Sequence, residues 1–304
     1  MGHGAAGTCG VTQRKRNVLR ADALAAFAHR KEHAATRAAI ERFCTLVDNA
    51  ERHALDTIST EFTDALLDGP FYQSPVAPGE PPSVNLVFVQ SRDGNTEADD
   101  PSTLGGGETD KHVIYEGLSR VAADAVLAGS RTVGDGELIF SVWHPALVEL
   151  RHILGKPRHP IQVVLTAKGR LPIEKGLMFN APDVPVIVLA DAAVSQPLAD
   201  RARSRPWITV VNMGHPSNIR EGIERLGKDF AIHRISAIGG RSAATALITA
   251  GLVRDLYLTT SAVTAGHPDT PMYIGTHPPQ RELIVRKQSQ NGVVFEHFLL
   301  QSRD

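Results

Sequence analysis

From residue 84 onward, short aliphatic and β-branched runs alternate with amphipathic stretches. "VNLVFVQ" (84–90), "DAVLA" (124–128), "IQVVLT" (161–166), "VPVIVLA" (184–190), "WITVV" (207–211) and "IHRISAI" (232–238) are near-continuously apolar. Runs of that length and character predict strands buried on both faces. Between them, "KHVIYEGLSRVA", "PALVELRHIL", "QPLADRARS", "SNIREGIERLG" and "SAATALITAG" carry apolar residues at three- and four-residue intervals and predict helices. The last reaches Gly251, a residue type that commonly ends a helix. Parallel neighbours need crossover connections, so strand–helix alternation implies a largely parallel sheet covered on both faces. "LYLTTS", "RELIVRKQ" and "GVVFEHFLLQ" add strands near the C-terminus, the last two joined through Asn291-Gly292 as a hairpin. A mixed, mostly parallel sheet is expected.

Upstream the pattern changes. Over 21–68, Leu24, Phe27 and Ala28, then Ile40, Phe43 and Val47, recur with helical spacing and predict a helical extension. It contains "HRKEH" (29–33), which matches an H-x-x-E-H zinc pattern. No third ligand accompanies it, and a solvated helix face is the expected reading. "GPFYQSPVAPGEPPS" (69–83) holds five prolines and cannot continue a helix, so residues 69–82 read as a linker. Residues 1–20 carry Arg14, Lys15, Arg16 and Arg20 without an acidic residue, as a disordered basic tail or a weak organellar targeting signal would.

Composition narrows the function classes. The 304 residues carry 32 Lys plus Arg against 33 Asp plus Glu, so no strong field favours nucleic acid or an anionic membrane. Cys9 and Cys44 form no C-x-x-C pair and suit a reducing compartment better than a disulfide scaffold. No apolar run approaches the ~20 residues of a membrane span, and the N-terminus lacks a signal-peptide core. A soluble cytoplasmic protein is expected.

The chemistry concentrates where an apolar run ends in Gly239 and Gly240 and leads directly into a helical pattern through Arg241 and Ser242. Glycine has no Cβ, so backbone N–H groups at such a helix start can approach an anion. Tight-turn packing explains a lone glycine pair equally well. Arg241 beside the turn favours a phosphate.

Taken in order, "VNLVFVQSRDGNT" (84–96), "LSRVAADAVLAGSRTVG" (118–134), "VVLTAKGRLP" (163–172) and "SAIGGRSAATALITAGLVRDLYLTTSAVTAG" (236–266) resemble the C-terminal reductase domain of the bifunctional deaminase-reductase of riboflavin biosynthesis, within the wider dihydrofolate-reductase-like family. The resemblance runs from about residue 82 to the C-terminus, giving a reductase-like domain over 83–304. It implies a three-layer α/β fold, NADPH as cofactor, and hydride transfer to a C=N or similar bond of a small heterocycle. It also implies a homodimer.

Site residues follow from the same resemblance. The Ser-x-Asp-Gly turn places Ser91 beside substrate and makes Asp93 the candidate catalytic carboxylate. The Gly-x-x-Thr turn gives Gly129 and Thr132 to the dinucleotide, together with Gly239, Gly240, Arg241 and Ser242. Thr166 and Lys168 are the candidates for the adenosine phosphate, and Arg120 falls where the pathway enzymes bind the substrate phosphate. Each admits a plainer role: Asp93-Gly94 is a common turn pair, Thr132 suits a cap, and Arg120 fits an exposed helix side.

Departures from the family pattern are specific. Ile238 stands where the pathway reductases usually carry a substrate-binding glutamate, "VGDGELIF" replaces their Asp-Asp-Pro segment and following arginine, and Arg254-Asp255 replaces Asp-Glu. The H-x-E and P-C-x-x-C ligands of a zinc deaminase are missing from the sequence, which sets deamination aside. Three readings stay open: a reductase of a pterin-like, pyrimidine or other heterocycle, the riboflavin-pathway reductase itself, and a non-catalytic nucleotide-binding relative.

Overall fold

The near-continuous apolar runs become the centre of one ten-stranded sheet. The structure, a computed structural model, describes residues 7–77, 79–134 and 136–301, with side chains from residue 22 onward. Helix α1 (Gly7–Arg37) is followed by β1 (Phe43–Asp48), β2 (Asp56–Ile58), α2 (Glu61–Leu67), β3 (Phe71–Gln73) and β4 (Ser83–Gln90). Next, α3 (Gly107–Thr109), a π-helical segment (Asp110–Leu118) and α4 (Ser119–Val121) run on as one stretch into β5 (Ala125–Gly129). There follow α5 (Ser130–Val133), α6 (Pro145–Ile153), β6 (Ile161–Thr166), β7 (Val186–Ala190), α7 (Ala192–Ala202) and β8 (Ile208–Asn212). The chain closes with α8 (Ile219–Phe230), β9 (Arg234–Ile238), α9 (Arg241–Thr249), β10 (Val253–Thr260), β11 (Arg281–Ser289) and β12 (Val294–Leu300).

The strands lie in the order β1-β11-β12-β10-β4-β9-β5-β6-β7-β8. From β10 to β8 all neighbours are parallel, while β12, β11 and β1 are added antiparallel. This is the expected mixed, mostly parallel α/β sheet of the dihydrofolate-reductase-like fold. Side chains alternate across it: Leu86 and Phe88 of β4 join one core with Ile223 and Leu226 of α8 and Leu247 of α9. Val87 joins the other, with Phe27 of α1, Val113 and Ile114 of the π-helical segment, and Leu147 of α6. Three layers result, as period-two alternation in the strands and helical stripes on either side require.

The N-terminal region departs from the expected helical extension. Helix ends at Arg37, and Phe43–Asp48 is a strand paired antiparallel with β11. Its burial alternates along the chain, with Phe43 buried and Cys44, Leu46 and Asp48 exposed. The three- and four-residue spacing of Ile40, Phe43 and Val47 fits a helix, but an available sheet edge overrides local spacing. The proline-rich stretch is likewise docked. Phe71 is buried beneath Tyr257 and Phe295, with ring centroids 4.6 and 6.1 Å away. Ser74 donates its N–H and hydroxyl to Asp255, whose carboxylate also meets His297 Nε2 at 2.8 Å. The stretch is a strap held by a buried polar cluster, which its proline content alone does not reveal. Of the basic stretch expected as a tail, residues 1–6 lie outside the described residues, and from Gly7 its backbone begins α1.

Candidate functional site

Strand lengths open the site. β9 stops at Ile238, opposite Val87 and Ala128, whereas β4 continues to Gln90. The shortfall leaves a notch at the C-terminal edge of the parallel strands. Here the chain also leaves to opposite faces, after β4 through the 107–121 helical stretch and after β9 through α9. In open α/β sheets a ligand crevice forms at such a switch point.

Gly239 and Gly240 fill the notch with φ of 57° and 78°, a left-handed turn that glycine adopts without a Cβ penalty. A Cβ on Gly240 would sit 3.1 Å from Thr132 Oγ1, and one on Gly239 would sit 3.6 Å from Thr132 Cγ2. The Gly129–Thr132 turn and the glycine pair therefore form one surface. Arg131 donates to Ser242 Oγ at 2.7 Å, tying α5 to the start of α9. Gly129, Thr132, Gly239, Gly240 and Ser242 are thus brought together.

Beside them lies a hollow of about 450 Å³, lined by Ser130, Arg131, Gly169, Arg170, Leu171 and Arg201 among others. Arg201 is committed to Glu174 at 2.8 Å and to the Leu171 carbonyl at 2.7 Å. Arg170 is exposed and makes no ion pair among the described residues. Arg131 and Arg170 escaped the sequence reading, although Arg131 lies inside the Gly-x-x-Thr turn that it singled out.

Other expected residues are placed differently. Thr166 is buried, and its Oγ1 accepts the Gly169 N–H at 3.0 Å, so it closes its own turn; Lys168 is exposed beside it. Arg241 Nε lies 3.1 Å from Glu97 Oε1 and its NH1 donates to the Asp269 carbonyl. Its charge is therefore compensated by the 95–99 loop. Arg120 needs the larger correction. It precedes β5, at the opposite edge of the sheet, and is 1% exposed, with its guanidinium 4.6 Å from the Tyr115 ring centroid and donating to the Ser141 carbonyl. An arginine so enclosed belongs to the core, not to a substrate-phosphate site in the crevice.

The Ser91–Asp93 turn is also inward-looking. Ser91 is fully buried and donates to Asp93 Oδ1 at 2.6 Å, and Asn95 Nδ2 donates to Asp93 Oδ2 at 2.9 Å. The Ser91 hydroxyl foremost holds the Asp93 carboxyl below the usual carboxylate range. Asp93 stays ionised near neutral pH, which argues against a role as proton donor. What the turn does is fix the end of β4: Arg92 N–H bonds the Val263 carbonyl and Asn95 bonds the Ala265 carbonyl.

The H-x-x-E-H pattern gains no third ligand among the described residues. His29 and His33 stack with centroids 6.3 Å apart while Glu32 pairs with Arg158, and among the described residues no group of three or more His, Cys, Asp or Glu could hold a metal. No helix among the described residues is long and apolar enough to cross a membrane.

Fold and site together define an α/β protein with a glycine turn and an arginine-lined hollow at the C-terminal edge of a parallel sheet. The family model of the RibD C-terminal domain matches residues 82–295, and the chain belongs to that family. A pyrimidine reductase-like protein from Corynebacterium diphtheriae shares the fold with a TM-score of 0.60 at 18% identity, over 73% of this chain and 93% of its own. The Saccharomyces cerevisiae riboflavin biosynthesis reductase Rib7 gives 0.51 at 17% identity, over 73% and 90%. The Thermotoga maritima diaminohydroxyphosphoribosylaminopyrimidine deaminase/5-amino-6-(5-phosphoribosylamino)uracil reductase gives 0.50 at 18%, over 73% of this chain and 57% of its own. The chain thus spans little more than half of that bifunctional protein. No curated protein matches it.

Proposed function

We propose that this chain is a reductase using a nicotinamide dinucleotide, with NADPH preferred, and acting on a small heterocycle of the pyrimidine class. The observation that carries the proposal is the glycine cradle closed against Thr132, with the arginine-lined hollow beside it. When bound, the reduced nicotinamide supplies the hydride; the protein's part is to hold, orient and dehydrate. Gly239 and Gly240 offer backbone N–H groups to the pyrophosphate at the start of α9, and Thr132 walls the same cradle. Arg131 and Arg170 supply positive charge and planar donors for the phosphate that distinguishes NADPH from NADH.

Ile238 favours a heterocycle other than the ribosylaminouracil of the pathway reductases. Buried at 1% exposure where they usually carry a glutamate, it offers a substrate no polar contact. Homodimerisation through the sheet edge forms part of the same proposal, and β1 is the strand that this edge presents. Sedimentation of the purified protein checks it.

Titration of the protein with NADPH and NADH, followed by nicotinamide fluorescence, tests the central reading. Saturable micromolar binding that favours NADPH is expected. Arg131→Ala and Arg170→Ala should each weaken NADPH by about 10- to 100-fold, from ~1.5–3 kcal/mol per charged hydrogen bond, and leave NADH nearly unchanged. Well-folded protein that binds neither cofactor overturns the reading in favour of a non-catalytic relative.

A further inference from the structure

The edge of the sheet opposite the crevice carries a second hollow, of about 550 Å³. Arg234, the first residue of β9, and Ala122, just before β5, both line it. It therefore lies at the N-terminal ends of the two strands whose C-terminal ends carry the glycine pair and the Gly129–Thr132 turn. The length of β9 separates it from the crevice, about 16 Å at the rise of a strand. One wall is the β2–β3 pair with its flank, through Leu55, Asp56 and Gln73, all of which precede the residues matched by the family model. The other wall is the domain itself, through Leu154, Lys156 and Arg234.

The polar groups here are incompletely used. Gln73 is 9% exposed, and its carboxamide makes no hydrogen bond among the described residues. Its amide is reached from the hollow rather than sealed in the core, so it presents donors and an acceptor to an occupant. Lys156 gives one of its donors to Asp124 Oδ1 at 2.6 Å. Arg234 donates to the Ser74 carbonyl at 2.7 Å and pairs with Asp56, which leaves further N–H groups of its fork. Charge is unequal as well. Burial brings Arg151, behind Lys156, down to about 10, and Asp124 is the carboxylate that opposes this, so one carboxylate serves two cations. The other Asp124 oxygen accepts the His233 and Arg234 N–H groups, and Arg151 Nη2 has no partner. Lys156, Arg151 and Arg234 thus face only Asp124 and Asp56, and one positive charge stays unanswered.

We propose that this hollow binds a small organic acid, with one carboxylate between Lys156 and Arg234, an apolar body against Leu55 and Leu154, and the Gln73 amide as a further contact. A single unanswered charge suits a monoanion, and a guanidinium fork suits a planar carboxylate. The aliphatic wall favours an acid with an apolar body over a bare inorganic anion. The volume falls within the roughly 300–1,000 Å³ of small-molecule sites. None of these residues belongs to the crevice, so the proposal stands or falls independently of the reductase reading.

Benzoate is the probe, with hexanoate as an aliphatic acid, benzamide as the uncharged counterpart and inorganic phosphate as the bare anion. Calorimetry and ligand-observed NMR on the full chain measure binding, and urea midpoints monitor the fold. Benzoate should bind one site in the millimolar range, and benzamide and phosphate about 10-fold more weakly or less tightly still. Lys156→Gln should weaken benzoate by about 10-fold or more. Leu154→Trp, which fills the hollow from a position 42% exposed, should abolish binding while keeping the parent urea midpoint, and decides the matter if Lys156→Gln folds poorly. NADPH should leave benzoate bound. Folded parent protein that binds neither benzoate nor hexanoate overturns the proposal, as does benzoate affinity that Leu154→Trp leaves unchanged. Benzamide or phosphate binding as tightly as benzoate overturns the class of ligand, and displacement of benzoate by NADPH overturns the place.

Discussion

A single methyl group at position 240 would test the cradle. Gly240 combines a φ of 78° with a space in which a Cβ comes 3.1 Å from Thr132 Oγ1. Gly240→Ala should cost roughly 1–2 kcal/mol of stability from backbone strain, since non-glycine residues avoid this region. Gly240→Val should in addition abolish NADPH binding, because its branches occupy the place of the pyrophosphate. Denaturant titration and nicotinamide fluorescence separate the two effects. The sequence showed that the glycines stand between strand and helix, and it was the family resemblance that assigned Thr132, with them, to the dinucleotide. It could not show that Ser91 and Asp93 satisfy each other, that Arg241 is answered by Glu97, or that Arg120 is enclosed by Tyr115 and Phe140. Those partners are distant in sequence or hidden in a turn, and charge balance is decided by whichever residue the fold brings close. Asp110, buried at the start of the π-helical segment, went unnoticed for the same reason. An aspartate in an amphipathic pattern reads as a solvated position until burial is known.

At the scale of elements, the parallel strands were legible because each is an apolar run bounded by polar turns. The N-terminal elements were not, because their stability comes from contacts made elsewhere. Lys287 of β11 is 1% exposed and donates to Leu67 and Asp68 carbonyls at the end of α2 and to Thr45 Oγ1 of β1. Lys31 of α1 pairs with Glu116 of the π-helical segment at 2.5 Å. Glu116 is held at about 2 despite its burial, by His112 and Lys31. The extension is therefore part of the domain's own structure. Phe71→Ala, which empties a site lined by Tyr257 and Phe295, should destabilise the whole protein by about 3–5 kcal/mol in one cooperative urea transition. Deletion of residues 1–80 should leave protein that aggregates on expression, since it uncovers Phe27- and Phe71-facing core along with the β11 edge. Lys287→Met should be tolerated far better than Lys287→Ala, because it keeps volume while removing the buried charge.

Across the whole molecule, the half-buried His159 and the buried Asp110 set opposing responses to pH. Burial, with Arg158 and Arg151 adding to it, lowers His159 from 6.5 to about 4. As pH falls below 6.5 the unfolded chain takes up this proton first, so stability is lost on acidification. Asp110 is raised from 3.8 to about 7, so the folded chain keeps a proton that the unfolded chain has released, and stability is lost as pH rises through that range. Between about 4.5 and 6.5 the two slopes oppose each other, while Glu116, held near 2, responds at lower pH. The parent protein should therefore show little pH dependence there. Asp110→Asn should gain stability with rising pH over that window, by roughly 1 kcal/mol per pH unit, and His159→Gln should lose it at a similar rate. Urea midpoints at pH 5 and 6.5 check both signs.

The pairing of β1 with β11 has a consequence for how the chain comes into being. Roughly 230 residues separate the two strands, and at about 5–20 residues per second a ribosome needs on the order of 10–50 s to bridge that gap. Throughout that interval an exposed-edge strand bearing Leu46 and Cys44 has been made and its mate has not. Nascent chains arrested before residue 281 should therefore remain open to protease at residues 43–48 and recruit chaperones, and release of the final hairpin should end both at once.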